Sequence, residues 1–438
     1  MERASRPFNQ QSMENQRAGR PFHYFYTADL DRMRILQLTP GTGNFYCGSC
    51  LRDNALVRGL RARGHDVLMV PLYLPFVTDE PSAAGSTPVF LSGLSVFLGR
   101  TFPVPGWLDR ALSSPALLRQ AARLTGLTRA KDLGIAAVEM LRGESREIDR
   151  LLAWLCTQPE PDVVCLSNSL LSGLAHHFRA PVVCTLQGED GFLDGLPEPY
   201  RQHAWELLAQ QCAGIKHFIP VSQYFGEQMR LRLGVPADRL SVAHPGIAVA
   251  DFAPATSTAP VVGYLARLHH AKGLQLLVDA YLQLTVPGVR LRVAGAMTGS
   301  DKSLVKSLQC KLGDRVEFLP NLDRAAKHEF LRSLSVLSVP AEGEAFGMYV
   351  LEALAGGVPV VQPRSGAFPE LIAATGGGIL CEPGNPAALA AGLEELLRDP
   401  ARARELGAAG RQVVAEKFSV EAMSRTVEEI LGKVIHAG

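Results

Sequence analysis

The sequence predicts an α/β fold in two domains, each built around a parallel sheet. Short apolar runs rich in β-branched residues alternate with helix-forming segments along most of the 438 residues. A segment with linker composition, PATSTAP at residues 254–260, interrupts this alternation, which then starts again. Strands that alternate with helices favour a parallel sheet covered by helices, and the chain is long enough for two such units. We therefore expect two Rossmann-like domains.

Composition and charge argue against several classes of protein. The chain is 47% hydrophobic and 20% charged, as is typical of a globular protein. Its formal net charge of +1 argues against nucleic acid as the main partner, because such proteins usually carry a clear basic excess. No apolar run reaches the ~18 residues that a bilayer span needs, and no signal peptide is apparent. We expect a cytoplasmic protein, and a peripheral contact with the inner face of the membrane stays open.

The eight cysteines predict no metal site. Only Cys47 and Cys50 form a CxxC pair, and no second pair with zinc spacing exists. The other cysteines lie mostly in apolar runs and are interpreted as small core residues in a reducing compartment. The CxxC pair leaves two alternatives, which are a redox switch at a helix amino terminus and small residues that allow close backbone approach.

The first domain is predicted at residues 33–253, after a polar segment at 1–32 that has no periodicity. We interpret residues 1–32 either as a disordered extension or as the result of a start codon assigned too early. The domain begins with a strand from Met33 to Thr39, and a glycine-containing turn leads into a helix from about Ser49 to Arg63. This strand, turn and helix form the first repeat of the alternating pattern.

Residues 77–150 depart from that pattern and are interpreted as an insertion in the first domain. Within them, residues 113–131 combine apolar and basic side chains in the manner of an amphipathic helix. Such a helix would either contact a membrane-bound ligand or pack on its own domain. After the insertion, strands at Val163–Leu166, Pro181–Leu186 and His217–Val221 alternate with helices at Ser169–Phe178 and Tyr200–Ala213 and with a helix from the capping residue Ser222 to about Leu233.

The second domain is predicted at residues 258–415, followed by a tail at 416–438. Its first strand, Val261 to Ala266, precedes a loop that carries Arg267 and Lys272. Two cations five residues apart on a loop that enters a helix suit a diphosphate, because charge on both phosphates must be neutralised.

The stretch Leu334–Gln362 of the second domain carries the most functional information. An apolar strand-like run ends at Pro340, and a loop that contains Glu344 follows. Gly347 then opens a segment, Met348–Ala355, whose residues favour helix. In such a unit, the loop that leaves the carboxyl end of the strand faces the ligand crevice.

The start of that helix is a predicted anion site, because unpaired N–H groups and the helix dipole attract negative charge. The amides of Phe346, Gly347 and Met348 are therefore assigned to phosphate oxygens. Two carboxylates near such a site need another role. Glu352 lies about 8 Å further along the helix than the loop residue Glu344, given the rise of 1.5 Å per residue. We expect the two acids to accept hydrogen bonds from hydroxyls at opposite ends of a long ligand.

The spacing Glu344-x7-Glu352, with Phe346-Gly347 inside it and EALAGGVPVV behind it, resembles the signature of retaining glycosyltransferases of the GT-B fold, family 4. The turn between Thr39 and Ser49 resembles the amino-terminal start of the same family. This resemblance implies two Rossmann-like domains that face each other across a cleft, with the last helix returning to the first domain. It also implies transfer of a sugar, with retention, from a nucleotide diphosphate sugar such as a UDP- or GDP-sugar.

The resemblance implies roles for the residues already singled out. Arg267 and Lys272 match the pair that binds the donor phosphates. Glu352 would hold the ribose and Glu344 the sugar hydroxyls. The glycine that approaches the diphosphate would be Gly48, with Gly41 as the second choice.

At one position the sequence departs from the family. Gln187 stands where the family usually carries a His that contacts the transferred sugar. A glutamine can donate and accept hydrogen bonds but cannot carry a proton. A proton relay through this position is therefore not essential, or Asp190 takes a share of the work.

The reaction expected from these residues needs neither a cofactor nor a metal. The two cations and the helix-start amides would stabilise the charge that grows on the leaving diphosphate. No covalent nucleophile stands out, which agrees with the front-face mechanism proposed for the family. Two alternatives stay open: a nucleotide-sugar epimerase or hydrolase of the same fold, and a non-catalytic partner that binds sugar nucleotides. The acceptor is open as well, whether a sugar, a lipid-linked compound or a small molecule.

Overall fold

A computed structural model describes residues 32–41, 48–73, 81–85, 87–90, 130–257, 259–268, 270–297 and 301–437. Three predictions lie wholly or largely outside these residues. They are the disordered extension at 1–32, the role of Cys47 in the CxxC pair, and the amphipathic helix at 113–131. In the ranges that are described, no helix is long and apolar enough to cross a membrane.

The first sheet has the strand order β2-β1-β3-β4-β5 in the described part of the chain, and all of its pairs are parallel. Its strands are almost wholly buried, as expected for apolar runs covered on both faces. They are β1 (Arg34–Thr39), β2 (Asp66–Pro71), β3 (Val163–Leu166), β4 (Val182–Leu186) and β5 (His217–Pro220).

Helices cover this sheet and continue its core. They are α1 (Gly48–Ala62), α2 (Ala130–Arg142), α3 (Arg146–Leu155), α4 (Asp190–Asp194), α5 (Tyr200–Gln211) and α6 (Gln223–Leu233). The helix predicted at Ser169–Phe178 is present as a 3-10 helix at Ser169–His177. Helices α2 and α3 occupy the end of the predicted insertion, yet they bury Leu141 and Leu151 in the core. This part of the insertion therefore packs as an integral piece of the first domain.

The second sheet is also parallel, with the order β11-β10-β9-β6-β7-β8 among the described strands. The strand predicted from Leu334 to Val339 pairs only over Val336–Leu337, so its predicted ends are wrong. The strands are β6 (Val261–Leu265), β7 (Arg290–Gly295), β8 (Val316–Pro320), β9 (Val336–Leu337), β10 (Val360–Pro363) and β11 (Gly378–Cys381). Two parallel sheets with helices confirm the predicted α/β class.

The helices of the second half are α7 (Leu274–Tyr281), α8 (Lys302–Leu312), α9 (Arg324–Arg332), α10 (Met348–Ala355), α11 (Phe368–Thr375), α12 (Pro386–Arg398), α13 (Pro400–Lys417) and α14 (Val420–His436). The last helix, α14, packs against α1 of the first half and shares a core cluster with β1. The contact is close, because a Cβ on Gly59 of α1 would lie 1.9 Å from Oγ of Ser424. The end of the chain therefore lies on the first sheet's unit.

Each sheet has one point where the order of its strands reverses. In the first sheet, β1 and β3 are neighbours, and in the second sheet, β6 and β9 are neighbours. The chain leaves these adjacent strands in opposite directions, which opens a crevice at their carboxyl ends where ligands bind in open α/β sheets. The loop after β6 carries Arg267 and Lys272, and the loop after β9 carries Glu344. The topology therefore brings these predicted site residues to one crevice.

Candidate active site

The loop between β9 and α10 depends on glycines at its turns and contacts. Gly347, the residue before α10, has a φ of 93°, a left-handed conformation that few other residues adopt. Gly366 has a φ of 61°, and a Cβ there would lie 2.6 Å from both the amide nitrogen and the carbonyl oxygen of Glu344. The amide of Ala367 donates to that same carbonyl at 2.9 Å. The backbone at Glu344 is thus pressed against the turn that follows β10.

The Glu344 carboxylate is held by two donors on the same oxygen. Lys272 Nζ lies 2.6 Å from Oε2, and the Tyr349 hydroxyl donates to Oε2 at 2.8 Å. Burial, and next the charge of Glu344, raise the pKa of Tyr349 well above its usual range, so its hydroxyl stays protonated and acts as the donor. The predicted sugar-binding acid and one predicted phosphate-binding cation therefore form a direct pair.

Lys272 reaches Glu344 because two loops pack together. Gly273, which follows it, has a φ of 73°, and a Cβ there would lie 2.2 Å from the carbonyl oxygen of Pro340. Only a residue without a side chain allows the loop after β6 to lie so close to the loop after β9. The Arg267 side chain, on the same loop as Lys272, is exposed.

The second acid, Glu352, lies within helix α10 and also has a lysine partner. Lys327 Nζ of α9 contacts Oε1 of Glu352 at 2.8 Å, and both side chains are about five-sixths buried. The two residues line a cavity of about 280 Å³, close to the lower limit of small-molecule pockets. The opposite wall is a face of α1 that includes Ala55 and Arg58.

The three amides predicted to bind phosphate lie at the open end of α10. None of Phe346, Gly347 and Met348 donates a backbone hydrogen bond to any described residue. The Phe346 ring is buried against His244 and Phe418, with centroids 5.9 and 6.4 Å away. This packing anchors the loop while its amides remain at the helix start, which is the arrangement that an anion site needs.

The first sheet's unit contributes one of the two predicted glycines near this helix. A Cβ on Gly48, the first residue of α1, would lie 3.8 Å from the Met348 side chain. Gly41 has a φ of 80° and lies two residues after β1. The residues between Gly41 and Gly48 are not described. Of the two glycines, Gly48 is therefore the one shown to lie beside α10.

Gln187 is held by a buried network at the carboxyl ends of β3 and β4. Its side-chain Nε2 donates to the carbonyl oxygen of Ser167 at 2.5 Å, and its backbone N–H donates to Glu189 at 2.7 Å. A carbonyl oxygen can only accept, so the side-chain nitrogen of Gln187 must face Ser167 and the side-chain oxygen must point the other way. Ser167 in turn donates to the buried Asp53. Asp190, the predicted helper, accepts from Gln228 at 2.9 Å.

Sequence reasoning missed several residues that shape this site. Lys327 and Tyr349 pair with the two acids, and Glu189 orients Gln187. Burial raises the pKa of Glu189 above its usual range. Tyr349 could have been found, because it follows the signature residue Met348. Lys327 carries no signal of its own, since its partner lies 25 residues away, and Glu189 accepts from Gln187 only two residues earlier, a contact that the local pattern did not reveal.

No group of three or more His, Cys, Asp or Glu side chains with metal-binding geometry occurs within the described ranges.

Family models match two adjacent parts of the chain. Residues 54–251 match the model described as Glycosyltransferase Family 4, and residues 251–413 match Glycosyl transferases group 1. The two matches meet at residue 251, just before the predicted linker. Together they cover both sheets apart from β1, and the second match contains Glu344 and Glu352.

Individual proteins show the same similarity. A glycogen synthase of Mycobacterium tuberculosis is 25% identical over 391 residues, which is 86% of this chain and 88% of the relative. A D-inositol 3-phosphate glycosyltransferase of Segniliparus rotundus is 28% identical over 52% of this chain and 54% of the relative. The crystal structure of Anabaena HepE with UDP-glucose superimposes with a TM-score of 0.65 at 18% identity and covers 92% of this chain and 100% of HepE. The chain is a glycosyltransferase and belongs to family 4 of the GT-B fold.

Proposed function

We propose that the protein transfers a glycosyl group from a nucleotide diphosphate sugar to an acceptor, with retention of the anomeric configuration and without a metal ion. The observation that carries this proposal is the meeting of Glu344, Lys272 and the free amides before α10 at one topological switch point. A diphosphate, a sugar and a nucleoside need three different surfaces, and this crevice offers all three.

The diphosphate would bind between the start of α10 and the loop after β6. The amides of Phe346, Gly347 and Met348 supply donors, and Arg267 and Lys272 supply positive charge. Lys272 has three N–H donors, so it can keep its contact with Glu344 while it binds a phosphate oxygen. Charge that grows on the leaving diphosphate would meet preorganised donors, and this role needs no metal ion.

The two ends of the donor would meet the two carboxylates. Glu344 lies beside Lys272, and Gly188, which follows Gln187, approaches Ala345, which follows Glu344; a sugar between Glu344 and Gln187 would fit this arrangement. Glu352 lines the cavity of about 280 Å³ against α1, which suits the ribose and the attached base. Gln187 would offer its amide oxygen to a hydroxyl, since its nitrogen is engaged by Ser167.

The donor class has support from the relatives. HepE binds UDP and UDP-glucose in its crystal structures, and a Corynebacterium glutamicum relative is named as dependent on GDP-mannose. We therefore propose a UDP- or GDP-sugar as the donor. The relatives' names give different acceptors, so we propose the acceptor only as a compound with a nucleophilic hydroxyl. The contact with a membrane stays a prediction, because the residues that suggest it, 113–131, lie almost wholly outside the described ranges.

Thermal-shift measurements with UDP-, ADP- and GDP-sugars would identify the donor. A ligand at 100 times its Kd stabilises the folded state by about 2.7 kcal/mol, which is a measurable shift in Tm. The Glu352→Gln variant, which should bind the donor more weakly, would serve as the matched control. No shift with any nucleotide sugar would contradict the proposal.

The reaction itself would be followed by NMR with the identified donor and a panel of sugar and lipid acceptors. The anomeric coupling constant of the product should equal that of the donor if configuration is retained. Turnover should persist in EDTA if no metal ion takes part. Conversion of the donor without an acceptor would favour the epimerase or hydrolase alternative.

A further inference from the structure

Helix α6 of the first sheet's unit and the start of α11 on the second sheet's unit meet through one carboxylate. Both Glu370 oxygens accept from the Gln223 amide, at 3.2 and 3.1 Å, and Oε2 also accepts from the Tyr224 amide at 3.3 Å. These amides belong to the first turn of α6, where backbone donors have no partner within the helix. Glu370 therefore caps a helix that lies 147 residues away in sequence.

A second contact joins the same helix start to the loop before α10. The buried Ser222 caps α6 by accepting from the Phe225 amide, and its hydroxyl donates to the carbonyl oxygen of Ala345 at 2.6 Å. Ala345 lies between Glu344 and Phe346. A Cβ on Gly188, which follows Gln187, would lie 3.4 Å from the Cβ of Ala345.

The two contacts act on one short loop from two sides. The turn that leads to α11 presses on Glu344 through Gly366, while α6 holds the next residue, Ala345, through Ser222. Glu370 then joins α11 to α6 directly. The position of the Glu344 backbone therefore depends on how the start of α6 sits against α11.

We infer that Glu370 is a positioning residue: it latches α6 onto α11 and so fixes the loop at residues 343–347 in the geometry that binds the donor. The inference builds on the proposed function, because it assigns that loop to the donor. It adds a residue that touches neither the sugar nor the nucleotide.

The chemistry of the contact suits a latch that opens. Burial raises the pKa of Glu370, and hydrogen bonds from the amides of Tyr224 and Gln223 and from the Ser222 side chain offset this only in part. An ionised carboxylate therefore loses hydration when it docks on α6 and recovers it when the two units separate. Such a contact stabilises one arrangement without making it permanent, as product release requires.

Hydrogen exchange of the unliganded protein tests the latch without any assay of activity. In Glu370→Ala, the amides of residues 222–226 should exchange about tenfold faster, since a carboxylate partner is lost, and the amides of Val350 and Ala367, which donate to the Gly347 and Glu344 carbonyls of the loop, should follow. Glu370→Gln keeps one acceptor oxygen and should give an intermediate rate. The matched control is Glu227→Gln, which removes an exposed carboxylate of α6 that pairs with Arg230 on its own helix. It should leave both segments unchanged.

Ser222→Gly separates the second contact from helix capping. Glycine is tolerated at this capping position at a cost of only a few tenths of a kcal/mol, but it cannot donate to Ala345. Exchange should rise at the amides of Val350 and Ala367, which donate to the loop, and change little in the rest of α6. Wild-type exchange rates at these two amides in both Glu370→Ala and Ser222→Gly would overturn the inference.

Kinetics then connect the latch to donor binding. Glu370→Ala should raise KM for the nucleotide sugar about tenfold, and Glu370→Gln should restore part of the loss. If exchange changes as expected but no nucleotide sugar binds the wild type, the latch stands and the proposed function fails. If exchange changes and KM does not, the loop is held by Glu370 but does not bind the donor, and the inference is wrong.

Discussion

Two carboxylate–lysine pairs, at the two ends of one crevice, are built in different ways. Glu344 and Lys272 come from loops that leave β9 and β6, and glycines let those loops touch. Glu352 and Lys327 come from the sides of helices α10 and α9 and line a cavity. The first pair lies where strand order reverses, beside the free amides. From this difference we propose that the loop pair acts at the reacting bond and the helix pair in ligand binding.

The largest effect on activity is expected from substitutions in the loop pair. Glu344→Gln and Lys272→Ala should each lower kcat by at least ~100-fold, the usual scale for one electrostatic contact made in the transition state. The matched control is Glu342→Gln, an exposed carboxylate two residues earlier on the same loop. Steady-state kinetics would measure the change. Activity within a few fold of wild type for both site variants would reject the assignment.

A substitution behind the loop should have the next largest effect. Gly366→Ala places a Cβ 2.6 Å from the Glu344 backbone, and the loop must move to admit it. We expect a fall of roughly tenfold in kcat, the free-energy equivalent of about 1.4 kcal/mol.

Gly376→Ala separates displacement of the loop from backbone strain. Gly376 has nearly the same φ, 62° against 61°, but its Cβ would meet nothing within 4 Å. Both variants carry a left-handed strain of about 1–2 kcal/mol, and Gly366→Ala adds the cost of moving the Glu344 backbone, so its unfolding free energy should fall further than that of Gly376→Ala. Only Gly366→Ala should lose activity. Equal activities would show that the close contact with Glu344 is unimportant.

The helix pair should respond differently. Glu352→Gln should raise KM for the donor by about tenfold and leave kcat within a few fold, which is the signature of lost uniform binding. Glu329→Gln is the control, since Glu329 pairs with Arg332 on the exposed side of α9. A fall in kcat as large as that of Glu344→Gln would erase the distinction between the two ends.

The smallest expected effect concerns the second donor to Glu344. Tyr349→Phe removes one hydroxyl that donates at 2.8 Å and leaves the buried ring in place. A typical net hydrogen bond contributes about 1 kcal/mol, so kcat/KM should fall roughly fivefold. Tyr281→Phe removes a hydroxyl that donates to Val289, remote from the crevice, and should change activity little.

The sequence by itself determined the α/β class and most strands and helices. It also placed Glu344 on a loop, Gly347 at the start of a helix and Glu352 within that helix. These features are local, because hydrophobic periodicity and a spacing of eight residues are visible along the chain. The sequence also marked Ser222 as a helix cap, which the structure confirms. The predicted ends of β9 were wrong, and the 3-10 type of the helix at Ser169–His177 was not predicted, since both depend on packing rather than on local pattern.

Tertiary structure alone decided which groups face each other. Lys327 reaches Glu352 across 25 residues, Lys272 reaches Glu344 across 72, and Glu370 reaches Gln223 across 147. The direction of the Gln187 amide likewise depends on Ser167, which another strand delivers. The reason is physical: a hydrogen bond needs two groups within about 3 Å, and only the strand order brings such distant residues together.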